Sequence, residues 1–483
     1  PLPALVEVPY FQPALGEGRL PPSAERVLAR PAIVTFDGTQ KQPGRYGGTL
    51  RILGGSPKDT RTLVVYGYAR LVGYDPSFNI VPDIVESLEV EEGRRFTFRL
   101  RPGHKWSDGA PFTAEDFRYY WEDVALNRGL SLSGLPDFLL VDGKGPLFEV
   151  LDERTVRYTW DKPNPRFLPQ LAGPLDPGIY RASAYLKQFH KKYQDKDKLE
   201  ALIKENRVKK WTNLHVRMSR QYRPENPALP TLDPWRNTTP PPAEQFVFER
   251  NPYFHRVDET GRQLPYIDRF ILNISSSSII PAKTGAGEAD LQGTVLDFTD
   301  YTFLKEAEKR YPIKVSLWKR TQGSRLALLP NLNYGDPAWR AVIQDARFRR
   351  ALSLAIDRYE INEAVFFGLA RISADTVLPE SPLYKPEYGN AWIAHDPAKA
   401  NALLDEVGLT ARDGDGFRLL PAGRVVKMVV ETAGESTLET DVLELVTDYW
   451  SKIGVGLFIR TSQRDVFRSR AIGGEIMMAM WSG

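Results

Sequence analysis

The sequence predicts an α/β protein built in more than one part, and three observations predict it. The chain has 483 residues, beyond the roughly 250–300 at which a single hydrophobic core stops growing, so two or three domains are expected. From about residue 345 onward, helical periodicity alternates with short apolar strands, the pattern of an α/β layer. Upstream, short strands with period-two alternation are separated by tight turns. No internal repeat and no low-complexity tract interrupts either part.

Along the chain, residues 1–45 are Pro-rich and weakly periodic and read as an extended arm laid over a surface. Residues 46–55, YGGTLRILGG, read as an apolar strand bounded by glycines. The following Gly54, Gly55 and Ser56 bring backbone N–H groups close to a ligand, or simply close the strand in a turn. Helical periodicity covers 63–74 and stops at the turn YDPSFN. A short helix is expected next, then a hairpin whose EEGR turn joins 88–90 to 96–100, where Phe96, Phe98 and Leu100 alternate. In 105–124, Ser107, Asp108 and Gly109 form a tight turn. Thr113 is an N-cap with Asp116 at the third helical position, close to a capping box. Phe117, Tyr120 and Trp121 fall at i, i+3 and i+4, a stripe for burial rather than for a cofactor.

A strand is expected at 155–160, closed by prolines, and the charged run 185–210 reads as a solvated helix. Residues 224–245 form a long Pro-rich loop carrying Trp235, Arg236 and Asn237. Strands follow at FVFER and at 269–274, and PAKTGAGEADLQG reads as a helix, a Gly-rich break and a short strand. Residues 312–320 and 324–333 read as paired strands around Thr321, Gln322, Gly323 and Ser324, a candidate hinge crossing. Beyond it come a helix over 345–368 with Gly368 as its C-cap, and a helix N-capped by Asp396 and ended by Gly408. A strand at 425–434, a helix at 435–454 and a strand at 455–462 follow, and GGEIMMAMWSG is a turn leading into an apolar strand that reaches Trp481.

Composition excludes several classes of function. With 64 basic and 61 acidic residues the net charge is +3, which leaves no electrostatic footprint for nucleic acid and no polybasic run for a membrane surface. The absence of cysteine rules out disulfides, thiol nucleophiles and Cys-based metal sites. No stretch of about 18 apolar residues occurs. The chain starts Pro1, Leu2, Pro3 without a signal peptide, as a processed or trimmed N-terminus would. The five histidines, His104, His190, His215, His255 and His395, contain no i, i+4 pair. There is no G-x-S-x-G elbow, no Walker A and no G-x-G-x-x-G. DGDG at 413–416 lacks the Glu of a calcium loop and reads as a hairpin turn. The sequons at Asn237 and Asn273 matter only in a eukaryotic secretory host. No catalytic constellation, metal site or cofactor site is visible.

Several motifs in series carry a resemblance. These are YARLVGYDPSFNIVPDIVESLEV, the Phe-Thr-Phe strand, KWSDGAPFTAEDF, FERNPYF, GEADLQG and DARFRRALSLAIDRYEIN, in that order. Over residues 46–483 the chain closely resembles the family 5 extracellular solute-binding proteins of bacterial ABC importers, which take oligopeptides, dipeptides, nickel or oligosaccharides. The resemblance implies an α/β, two-lobed periplasmic-binding-protein clam-shell with an extra subdomain inserted in lobe I. It places the lobe I core at 1–56 and 166–323, the insert at 57–165 and lobe II at 324–483. It also implies that the family continues beyond the strand ending at Trp481 and crosses back to lobe I, so that this chain reads as shortened at its C-terminus. Partners would be a small solute and the permease subunits, with no nucleic acid and the protein as a monomer, and the location the periplasm or the extracellular face of the membrane.

The candidate ligand contacts are Gly55 and Ser56 after the first strand, Trp235 and Asn237 in the Pro-rich loop, Asn331 and Asn333 past the hinge, and Trp481. The Pro-rich LDPWRNTTPPP stands where peptide-binding relatives carry a Gly-x-Tyr strand, and VDETGRQLPYID resembles the branch with oligosaccharide binders. Oligopeptide and oligosaccharide therefore both stand as solutes. A hydrolase of peptides or glycosides working from a cleft, and a ligand sensor on the same fold, are the alternatives.

Overall fold

The computed structural model describes residues 4–39, 41–319, 322–434 and 436–482. It divides the chain into two compact units, Pro1–Leu296 and Asp297–Gly483.

The first unit is organised on two sheets. One has the order Thr49–Gly54, Arg269–Ile274, Gln245–Arg250, Trp235–Asn237. Its first pair is parallel and the other two antiparallel. Alternation sends Ile52, Phe246, Phe248, Phe270 and Leu272 to one buried face, against Leu63. The other sheet is wholly antiparallel, in the order Val85–Glu91, Arg95–Leu100, Thr155–Thr159, Leu147–Asp152. Phe96, Phe98 and Leu100 all point into its core with Trp106, Phe117, Tyr158, Trp160 and Phe167. Phe167 packs edge-on at 4.8 Å from Trp160 and 5.1 Å from Phe96. Full burial of each such ring is worth about 1.5–3 kcal/mol.

The capping box forms as expected. Asp116 accepts from the Thr113 N–H at 3.0 Å, and the Thr113 hydroxyl oxygen accepts from the Glu115 N–H at 3.3 Å. Asp116 also accepts from Trp106 Nε1 at 3.2 Å and from the Ser183 N–H and Oγ, so one carboxylate ties a helix start, a core indole and a distant segment together. The helix Ala114–Arg118 widens into a π-helical turn, Tyr119–Ala125, and the stripe Phe117, Tyr120, Trp121 is buried. A second carboxylate, Asp83, joins more. Its Oδ1 accepts from His255 Nε2 at 2.8 Å and Arg256 Nε at 2.9 Å, and its Oδ2 from Arg256 Nη2 at 2.6 Å and the Arg70 N–H at 2.9 Å. Its carbonyl accepts from Arg101 Nε at 3.0 Å.

The second unit has one mixed sheet in the order Ala327–Pro330, Met478–Trp481, Lys427–Thr432, Gly456–Thr461. The last three strands run parallel and the first antiparallel to its neighbour. Helices Pro337–Gln344, Ala346–Ala355, Arg358–Phe366, Pro397–Glu406 and Thr437–Lys452 belong to this unit, and Trp450 Nε1 donates to Leu352 O at 3.0 Å. The Asp396 N-cap and the turn at Asp413 form as expected, with Asp413 Oδ1 accepting from the Asp415 and Phe417 N–H groups.

Several expectations are corrected. The N-terminal arm is not extended throughout: it contains the helical turns Pro9–Phe11, Gln12–Gly16 and Ser23–Arg26, and Val8, Phe11, Val27 and Leu28 anchor it by burial, with Arg26 buried against Glu7. Within 63–74 the helix ends at Gly67, whose Cα faces the Pro234 ring too closely for a side chain, and Tyr68 turns left-handed (φ 41°). Val72–Tyr74 then pairs as a strand with Ile80–Pro82 in place of the expected short helix, as suits a Val preceding a Pro. In GEADLQG no strand forms. Side chains replace the ladder, with Asp290 Oδ2 accepting from the Arg51 N–H and Gln292 Oε1 from the Leu53 N–H. Residues 324–333 do not pair with 312–319. Ala327–Pro330 pairs instead with Met478–Trp481, burying Met478 and Met480, while Trp318 stays exposed; Thr321 lies outside the described residues. The helix over 345–368 is two helices, because Ile356 is extended and Asp357 caps a new start at the Tyr359 and Glu360 N–H groups. At its end Phe367 already takes the left-handed conformation ahead of Gly368.

Burial holds His104, His215 and His255 below the ordinary histidine range, His215 down to about 3. They stay neutral in the folded state while the unfolded chain takes up their protons below about pH 6.5. The unfolded state then binds more protons, so stability falls as pH falls, by up to about 1.4 kcal/mol per pH unit for each histidine. Urea unfolding followed by tryptophan fluorescence is expected to show midpoints falling steadily from pH 7.5 to pH 5; a flat profile contradicts this account.

Candidate functional site

In open α/β sheets ligands bind outside the carboxyl ends of parallel strands. This criterion separates the seven candidate contacts within each unit. In the first unit, Gly55 and Ser56 follow the carboxyl end of Thr49–Gly54, beside the end of its parallel partner at Ile274. Their N–H groups are aimed inward: both donate to Asp59 Oδ2, at 2.8 and 3.0 Å. The loop is thus held open in a fixed shape by a carboxylate of the chain itself. A Cβ on Gly55 would lie 2.8 Å from the Oγ of the exposed Ser277, so a larger residue here needs that hydroxyl to turn away.

Trp235 and Asn237 lie elsewhere. They form an edge strand rather than part of a loop, with Trp235 level with Arg250. The register sets Trp235 roughly 20 Å along and roughly 14 Å across the sheet from Gly54. Trp235 Nε1 donates to Ile267 O at 3.1 Å and the ring packs edge-on against Phe270 at 5.6 Å. Asn237 spends both ends of its amide on the loop, accepting from the Thr239 N–H and donating to Thr239 O.

In the second unit, Trp481 ends a strand parallel to Lys427–Thr432, at the carboxyl side of the sheet. Its ring stacks on Phe467 (5.5 Å, 16°) and the Arg464 guanidinium lies 5.3 Å from its centroid. Asn331 is at the other end of the same pair of strands, roughly 13 Å away by register. It clamps that end, donating to Gly474 O and Ile476 O and accepting from the Asn333 N–H. The structure therefore joins Gly55 to Ser56, Trp235 to Asn237, and Asn331 to Asn333, and leaves Trp481 apart.

Residue-by-residue reading missed the polar groups around these carboxyl ends. Asp59 had a signal: Ser56-Pro57-Lys58-Asp59 is a capping-box spacing. Asp297 had none, because its partners are distant in sequence. Arg325 Nη2 donates to both its oxygens at 2.9 and 3.0 Å, and Ser436 Oγ donates at 2.9 Å. Burial alone would raise the Asp297 carboxyl, but these donors and the Phe298 N–H outweigh it and hold it below the ordinary range. Glu431 is buried and forms ion pairs with Arg460 and Arg470. Among the described residues no three His, Asp or Glu side chains are grouped to hold a metal, and no helix is long and apolar enough to cross a membrane.

A family model described as "Bacterial extracellular solute-binding proteins, family 5 Middle" matches residues 79–483. The chain belongs to this family. It is a solute-binding protein of the ABC-importer type, with the two-lobed α/β fold of its relatives. It is similar to the periplasmic alpha-galactoside-binding protein of Rhizobium meliloti, with 27% identity over 488 residues, covering 93% of this chain and 67% of that protein. The dipeptide-binding protein of Escherichia coli is 24% identical over 438 residues, covering 86% and 70%. A solved structure of oligopeptide-binding protein OppA superposes with a TM-score of 0.73 at 34% identity, covering all of this chain and 75% of that one. The stachyose complex of MelB from Agrobacterium fabrum also gives 0.73, at 22% identity, and there the likeness is one of fold. These relatives are binding proteins.

The inward aim of the Gly55 and Ser56 N–H groups gives a direct test. Asp59→Ala leaves both without an acceptor and is expected to lower stability by about 2 kcal/mol, read as a lower urea midpoint at unchanged slope. An unchanged midpoint means that Asp59 does not hold the loop.

Proposed function

We propose that this protein captures an oligosaccharide or a short oligopeptide and delivers it to the permease subunits of an ABC importer, without making or breaking covalent bonds. It works as a monomer at the periplasmic or extracellular side of the membrane. The lobe I core is 1–56 and 166–323, the insert 57–165 and lobe II 324–483. The observation that carries the reading is the position of Gly55 with Ser56 and of Trp481, each at the carboxyl end of the parallel strands of its own sheet. A tryptophan supplies flat apolar area for a sugar ring or a peptide side chain. Backbone around a glycine allows a solute's polar edge to approach closely. In this proposal Gly55, Ser56 and Trp481 touch the solute, while Trp235, Asn237, Asn331 and Asn333 hold the shapes of their loops.

Two relatives support the solute class, the alpha-galactoside-binding protein and OppA. Native mass spectrometry of the purified protein, before and after mild denaturation, tests it by releasing any retained solute. Calorimetric titration with stachyose and with tri- and tetrapeptide mixtures follows. A ligand at about 100 times its Kd is expected to stabilise the protein by about 2.7 kcal/mol. Trp481→Ala is expected to weaken that solute about tenfold, or about 1.4 kcal/mol; Trp235→Phe should leave affinity within about twofold. The reverse ranking would move the site to the other end of the first sheet. Product formation from either ligand class would replace binding with hydrolysis.

A further inference from the structure

The net charge of +3 hides a local excess. Between Lys204 and Arg223 the chain carries seven Lys and Arg against one acidic residue, Glu205, so this stretch alone exceeds the charge of the whole. Six of the seven are exposed, and the half-buried Arg217 donates from Nη1 to Asn206 O at 2.9 Å. None is neutralised by a carboxylate among the described residues: the ion pair before the stretch is that of Lys196 with Glu200, and the next is that of Arg250 with Asp268. A helix that is merely solvated usually offsets its lysines with acidic neighbours one turn away; this one does not.

The fold sets these cations beside exposed apolar side chains. Lys210, Arg217 and Arg220 line an open groove of about 640 Å³ with Leu130, Leu132, Val208 and Val216, and Glu225 is its one carboxylate. The walls come from the turn at 129–132 and from the helix Trp211–Met218 with its flanks; no strand contributes, so the groove is not a sheet edge that lacks a neighbour. Leu132 is 89% exposed and Val216 39%. Leu132 stands at the tip of a closed turn, where Ser131 O accepts from the Gly134 N–H at 3.2 Å and Ser131 Oγ donates to Gly134 O at 2.8 Å. That turn lies close on the helix, since a Cβ on Gly129 would come 3.2 Å from Thr212 Cγ2.

A leucine held out in water and a cluster of like charges are both unfavourable. One partner relieves both: a surface that is negative outside and apolar just beneath, which is an anionic bilayer. A soluble polyanion would answer the cations and leave Leu132 and Val216 wet. A neutral protein face would cover the leucine and leave the cations unanswered. We propose that this groove is a contact surface for an anionic phospholipid bilayer, with Lys210, Arg217 and Arg220 against the headgroups and Leu132 inserted below them. The long basic stems suit this placement, because they lie along apolar surface while the charged ends stay with the headgroups. The inference is independent of which solute the protein carries.

Co-sedimentation of the unaltered full chain with lipid vesicles tests it. Vesicles of phosphatidylcholine with about 30% phosphatidylglycerol are expected to bind at least about tenfold more tightly than phosphatidylcholine alone, and to lose most of that preference between about 50 and about 200 mM salt. Lys210→Glu with Arg220→Glu is expected to abolish the preference. An equal charge change at the exposed Lys41 and Lys144, as Lys41→Glu with Lys144→Glu, should leave it within about twofold. Leu132→Ser is expected to weaken binding about threefold at either salt concentration. Unchanged urea midpoints confirm that the variants are folded. Should the Lys210 and Arg220 variant fail to fold, the lipid preference of the unaltered chain and the effect of Leu132→Ser decide together. Equal binding to the two vesicles, or equal loss from the Lys41 and Lys144 variant, overturns the proposal. So does displacement by heparin combined with no effect of Leu132→Ser, which would give the cations to a soluble polyanion.

Discussion

The first unit depends on one buried carboxylate. Asp83 sits just before the antiparallel sheet and accepts hydrogen bonds from His255, Arg256 and the Arg70 backbone, while its carbonyl takes Arg101. His255 and Arg256 belong to the segment after the central sheet strand Gln245–Arg250, and the His255 carbonyl in turn accepts from the Ala32 N–H at the start of the Ala32–Val34 strand. Three stretches far apart in sequence therefore meet at one charge. Burial alone would raise the Asp83 carboxyl; Arg256 and His255 outweigh it and hold it far below the ordinary range. Such a group is worth little as an isolated attraction but costs several kcal/mol to break, because the partners would remain buried and uncompensated. Its effect is to specify which segments dock.

Most strands were legible because their apolar pattern is strong over four or more residues. Phe96, Phe98 and Leu100 alternate, and 427–432 and 456–461 are apolar runs on either side of the helix Thr437–Lys452. What could not be read was pairing. Residues 324–333 resemble half of a hairpin with the residues just before them, yet their partner is Met478–Trp481. Local periodicity carries no record of which distant strand presents the complementary burial. Helix limits failed for a similar reason. Gly67 stops its helix because Pro234, far along the chain, occupies the space a side chain would need.

The candidate contacts show the same division. The close approach at Gly55 and the strand ending at Trp481 were readable from glycine and aromatic placement. Trp235 was singled out as an aromatic in a Pro-rich stretch, but its indole is taken up by Ile267 and Phe270, neither of which is adjacent in sequence. Asn331 was singled out as a candidate ligand contact past the hinge, and its amide clamps the Gly474–Ile476 backbone. An exposed polar group and a satisfied one look alike in a sequence; only the fold shows where its hydrogen bonds go.

The order of strands in the second sheet has a consequence for synthesis. Met478–Trp481 lies between Ala327–Pro330 and Lys427–Thr432, although it is made about 150 residues after the first of them, in a process that adds roughly 5–20 residues per second. While the last 50 or so residues are made, roughly 2–10 seconds, the emerging chain holds two strands whose shared neighbour does not yet exist, with apolar faces and unpaired edges open to anything nearby. Those strands must either wait or pair wrongly with each other. A sheet completed from its middle in this way favours escort by a chaperone until the last strand emerges, and makes premature pairing of 327–330 the misfold most worth suppressing.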